Sequence, residues 1–77
     1  MHYDTHETLE RLGREIANGW IYGMVGFAPS DLSVLPTQED LEWANLIGGR
    51  MLGRELTDQD RATIRDHMIE RFAEVAA

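Results

Sequence analysis

Three four-residue signatures constrain this chain more than any other feature. Asp4-Thr5-His6-Glu7, Thr37-Gln38-Glu39-Asp40 and Thr57-Asp58-Gln59-Asp60 each place a short polar side chain three residues ahead of a carboxylate. In such a capping box the first side chain accepts from a backbone N–H that a helix start leaves unpaired, and the carboxylate reaches back to the N–H of the cap. Each signature therefore opens a helix. Aspartate is shorter than glutamate, so the box at Thr37 is expected to be weaker than a full one.

The apolar spacing behind each signature agrees. Leu9, Leu12 and Ile16 recur at intervals of three and four, opposite the i,i+4 pairs Glu7/Arg11, Glu10/Arg14 and Arg11/Glu15. In the second segment Leu41, Ala44, Gly48 and Met51 mark one stripe, and Leu46, Gly49, Gly53 and Leu56 a neighbouring one. In the third, Ile64, Met68, Phe72 and Val75 line one face with Ala62 nearby, while Asp66, Glu70 and Glu74 form an acidic ridge. Between the first two segments, Pro29 and Pro36 bracket a connection whose Leu32, Val34 and Leu35 are expected to tuck onto the core. The pattern predicts helices near 5–26, 37–55 and 58–75: one all-α domain over residues 1–77, a small three-helix bundle. The resemblance of "RLGREI" to "MLGREL" is too short to be a repeat.

Six of the seven glycines (13, 19, 23, 48, 49 and 53) fall inside these predicted helices. Each costs about 0.8–1 kcal/mol relative to alanine in a helix interior. The sum is comparable to the stability of a small domain, so something must offset it. Gly19, Gly23 and Gly26 continue the stripe of the first helix, and Gly49 and Gly53 lie together on the second. Bare backbone in this arrangement predicts close packing of the first helix against the second, or against a symmetry mate. Trp20, Met24 and Phe27, with Ile21 and Val25 between them, then form an apolar surface on the other side. Such a patch marks an interface, so a partner or self-association surface is assigned to Trp20, Ile21, Met24 and Phe27, and the protein is expected to be a homodimer. Trp43, beside the Leu46/Gly49 stripe, is assigned to packing. A competing reading makes Gly19 to Phe27 a β-strand, since its residues between the glycines favour strands; a lone strand would also need a partner chain.

Composition removes several function classes. Fourteen acidic residues against seven arginines give a net charge of -7, which repels phosphate backbones and anionic membranes while suiting a basic protein partner. There is no lysine for Schiff-base chemistry and no cysteine for disulfides or thiolate chemistry. The N-terminus lacks a signal-peptide pattern, and the nearly apolar stretch from Ile16 to Pro29 is too short to cross a bilayer of about 30 Å; a soluble, cytoplasmic protein is expected.

Candidate chemistry is sparse. His2, Asp4 and His6 alternate, and Glu7/Glu10, Glu39/Glu42 and His67/Glu70 sit at i,i+3, but none matches the ligand number or order of a recognised centre. No metal or cofactor is expected. Ser30 and Ser33 lack a nucleophile elbow to pair with His67, and the glycines lack phosphate-binding spacing. Arg50, Arg54, Arg61 and Arg65 are assigned to ordinary pairing with carboxylates.

The reading is a small acidic, non-enzymatic protein-protein interaction module that binds or masks a surface of a partner protein. An alternative is an inhibitor of the phage anti-defence kind, in which Asp58, Asp60, Asp66, Glu70 and Glu74 imitate nucleic-acid phosphates and block a basic groove. A second alternative is a small metal-binding helical protein.

Overall fold

The computed structural model describes residues 4–23 and 36–76. The chain is all-α, with α1 (Thr5–Gly23), α2 (Gln38–Leu52) and α3 (Asp58–Ala76). The three helices begin where the caps place them. Asp4 Oδ1 accepts from the Glu7 N–H at 3.0 Å. Thr37 Oγ1 accepts from the Asp40 N–H at 3.2 Å, and Asp40 Oδ2 accepts from the Thr37 N–H at 3.0 Å. Thr57 and Asp60 repeat that exchange at 2.8 and 3.1 Å. The expected weakness at Thr37 does not take the form of an open box: with Thr37 in an extended conformation (φ -75°, ψ 172°), the shorter aspartate still reaches the cap N–H.

α2 ends before its expected limit of 55. Gly53 adopts the left-handed conformation (φ 70°, ψ 23°) and donates its N–H to the Gly49 carbonyl at 2.9 Å. It is a helix terminator rather than a groove residue, and the conformation is one that only glycine adopts without steric cost.

α1 is the central helix. It packs chiefly against α3 and to a lesser extent against α2. The core joins Leu9, Leu12, Ile16, Ala17 and Ile21 of α1 to Ala44 and Leu52 of α2, Leu56 of the second connection, and Ile64, Met68 and Phe72 of α3. The face of α3 is shorter than its spacing suggests, since Val75 is exposed. Along the rim, Arg14 donates two hydrogen bonds to the Glu74 carboxylate at 2.7 and 3.1 Å. Arg71 donates to Asn18 Oδ1 at 2.7 Å and to the Tyr22 hydroxyl at 3.2 Å. These contacts fix how α3 sits on α1, although exposed ion pairs stabilise by only about 0–1 kcal/mol.

The glycines that permit close approach within the chain are not the expected ones. A Cβ built on Gly13 would stand 2.5 Å from the Ile64 carbonyl oxygen and 2.8 Å from the His67 Cβ. One on Gly48 would stand 2.9 Å from Leu12 Cδ1. By contrast, among the described residues Gly19 and Gly23 have nothing within 4 Å of that position, and Gly49 meets only the Arg54 carbonyl oxygen, at 3.5 Å. The correction follows from helix rotation. The face that α1 buries is wider than the Leu9/Leu12/Ile16 stripe, since it also takes in Thr8, Gly13, Ala17 and Ile21; at about 100° per residue Gly13 lies near the centre of that whole face and Gly19 toward its edge. Gly19 to Gly23 are helical, not strand; Gly26, Met24 and Phe27 lie outside the described residues.

Alanine at the two kinds of glycine separates these roles. Gly13→Ala forces backbone against backbone and is expected to lower the urea-unfolding free energy by about 1–3 kcal/mol. Gly19→Ala meets no neighbour and should raise it by up to about 1 kcal/mol.

Candidate functional site

A groove of about 450 Å³ runs between α1 and α2, lined by Glu15, Ile16, Gly19, Trp20, Glu39, Asp40 and Trp43. Its construction begins with the second capping box. Asp40 Oδ2, the atom that accepts from the Thr37 N–H, also accepts from Trp20 Nε1 at 3.2 Å. The carboxylate that starts α2 thereby holds an indole of α1, and Trp20, half-buried, packs against the core beside it. One turn along α2 stands Trp43, 38% exposed, and a turn further Leu46, 53% exposed. Gly19 contributes no side chain, so the α1 wall between the two indoles is bare backbone.

The groove is apolar in its walls and acidic at its margin. Glu15, Glu39 and Asp40 bring three carboxylates to it, of which Glu15 shares its charge with Arg11 at 3.2 Å. An occupant must then offer an apolar group to the indoles and positive charge to the rim.

Several expected assignments change. Ile21 is buried in the core, 3% exposed, and is no part of an open surface. Trp20 is half-buried, packing against the core while lining the groove, whereas Trp43, assigned to packing, is exposed and lies off the line of Ala44, Gly48 and Leu52 that α2 buries. A helix held mainly by one neighbour buries a narrow stripe, so adjacent positions such as Trp43 and Leu46 stay exposed. Ser30 and Ser33 lie outside the described residues.

A second depression of about 620 Å³, at the turn from α2 to α3, is lined in part by Arg54 and Arg61. Their charge is used internally. Arg54 donates to both Asp60 carboxylate oxygens, at 2.6 and 3.4 Å, and to the Glu55 carbonyl at 2.9 Å. Arg61 donates to the Leu56 carbonyl at 3.0 Å and to Asp58 at 2.5 Å. The depression is a structural corner rather than an anion site.

Pairings of the same kind engage members of the acidic set. Asp60 is buried, not a surface charge. Asp58 is matched by Arg61, Glu74 by Arg14 and Glu70 by the His67 imidazole at 3.1 Å. Of the five, Asp58, Asp66, Glu70 and Glu74 remain exposed. The Arg14 guanidinium beside Glu74 holds that carboxyl below its ordinary range.

The chain matches no protein-family model, and no curated protein or solved structure shows significant similarity to it.

The Arg54 hydrogen bond, aided by the Thr57 N–H, lowers the Asp60 pKa to about 2. An unfolded aspartate titrates near about 3.9. The folded value is the lower one, so the stabilisation is fully present above about pH 4 and is lost as pH falls through about 2. Asp60→Asn is expected to cost about 1–2 kcal/mol at neutral pH, and its deficit in chemical denaturation should shrink as pH is lowered from 5 toward 2.

Proposed function

We propose that this protein is a small acidic interaction module that takes a basic, amphipathic segment of a partner protein in the groove between α1 and α2. The observation that carries the reading is the pairing of two indoles, Trp20 and Trp43, with three carboxylates around a stretch of bare α1 backbone. An apolar side chain of the partner lies between the indoles over Gly19, and flanking arginine or lysine residues meet Glu15, Glu39 and Asp40. The remaining net charge of -7 draws such a segment in from a distance.

Trp43 supplies the anchor. Exposed tryptophan at the centre of a concave surface is the residue type that most often dominates binding energy. Trp20 is already oriented by Asp40, so little side-chain freedom is lost when a partner arrives. Leu46 extends the contact along α2. A second copy of the chain is the competing occupant; of the homodimer surface expected from the sequence, Trp20 lies in this groove. Like charge on an acidic rim disfavours that copy. Nothing in the groove calls for catalysis.

Intrinsic tryptophan fluorescence tests the reading with two synthetic helical peptides, each bearing one leucine face, flanked either by arginines or by glutamates. The arginine peptide should bind and the glutamate peptide should not, and binding should weaken as salt is raised. Gly19→Leu fills the groove without meeting any neighbour; it should keep or raise the melting temperature while reducing affinity at least about tenfold, a loss of about 1.4 kcal/mol. Trp43→Ala should weaken binding by about 2 kcal/mol or more. Equal affinity for the wild type and Gly19→Leu would place the partner elsewhere. A concentration-dependent mass in sedimentation, abolished by Trp43→Glu, would assign the groove to self-association instead.

A further inference from the structure

We infer that His6, Glu10 and His67 form a binding site for a divalent transition ion of the zinc type, joining the first turns of α1 to the middle of α3. His6 and Glu10 are four residues apart and share one face of α1. His67 reaches them from α3 because Gly13, on the same side of α1, lets the two backbones approach until a Cβ on Gly13 would stand 2.8 Å from the His67 Cβ. The two imidazoles meet edge to face, with ring centroids 5.8 Å apart. One donor atom from each of the three residues lies within 4.8 Å of the others.

Two features make this more than a chance meeting of polar groups. His67 is buried, 8% exposed, so packing sets its ring orientation. Its Nδ1 lies 3.1 Å from Glu70 Oε2. A carboxylate on Nδ1 favours the tautomer that leaves the Nε2 lone pair for an ion; metal-binding histidines are commonly held this way. Zinc bonds of about 2.0–2.1 Å in a tetrahedral site place ligand atoms roughly 3.4 Å apart. Closing the site takes a contraction of about 1.4 Å from the outer limit, within the reach of side-chain rotation. His6 and Glu10 are exposed and free to supply it, while His67 stays in place.

Two imidazoles and one carboxylate favour zinc, cobalt or nickel over magnesium and calcium, which prefer oxygen. Three protein ligands leave a fourth position for water. An ion bound by the folded state alone pins the start of α1 to α3, in a short chain with no disulfide. The ligand set differs from those weighed from sequence: His6 is shared with the alternating N-terminal set, Asp4 caps α1, His2 lies outside the described residues, and Glu70 acts on the imidazole rather than on the ion.

The test uses tag-free protein stripped with chelator. Calorimetry with zinc should show one ion per chain, and cobalt should give the intense visible absorption of a four- or five-coordinate site. His6→Ala and Glu10→Gln alter exposed residues, leave the fold intact by circular dichroism, and should each weaken zinc binding at least about tenfold; Glu70→Gln should weaken it about tenfold. His2→Ala and Glu39→Gln should leave it unchanged. Absence of one-to-one binding in the wild type would overturn the assignment, as would undiminished binding in His6→Ala and Glu10→Gln. Loss of binding in His2→Ala with retention in His67→Gln would overturn it too, by moving the ion to the N-terminal residues.

Discussion

Where α1 meets α3, Gly13 presents bare backbone, and the Ile64 carbonyl oxygen occupies space that a side chain would claim. That approach lets Leu9, Leu12 and Ile16 pack in one layer with Ile64, Met68 and Phe72. Arg14 and Arg71 then close the rim of the same contact by reaching Glu74, Asn18 and Tyr22. It also carries His67 to within ring contact of His6. Packing and the candidate ion site thus rest on one missing methyl group. In a chain that buries only about 60% of its unfolded surface, few other contacts are available to replace it.

The capping aspartates extend local structure into tertiary structure. Asp40 completes the start of α2 and with the same oxygen holds the Trp20 indole of α1. Asp60 completes the start of α3 and with the same oxygen binds Arg54, which lies just beyond α2. A carboxylate that satisfies backbone donors is already oriented, so a second donor adds to the bond network at little further entropic cost. This places the groove wall: Trp20 is set by a helix start, and Trp43 follows one turn later on the helix so started. Among the described residues no buried side-chain nitrogen or oxygen lacks a hydrogen-bond partner, and no helix is long and apolar enough to cross a membrane.

α2 is the helix most available to other molecules. It rests mainly on α1 and buries only Ala44, Gly48 and Leu52 along its length. Ile47 also packs against the core, while Trp43 and Leu46 are exposed. The groove and the histidine cluster use different partners of α1, the first α2 and the second α3, so occupation of either can be tested without disturbing the other.

What the sequence determined by itself was local. The starts of α1, α2 and α3 were legible because a capping box is decided within four residues, and the Leu9/Leu12/Ile16 and Ile64/Met68/Phe72 faces because periodicity is decided within a few turns. Tertiary structure decided the rest. Among the described residues it chose Gly13 and Gly48 over Gly19 and Gly23 for close packing, turned Ile21 inward, left Trp43 exposed, and converted Gly53 into a helix stop. It alone brought His67 to His6 and Glu10. The physical reason is that a stripe of spaced residues defines a face but not its rotation toward a particular neighbour; that rotation depends on contacts between residues far apart in the chain, which no local spacing records.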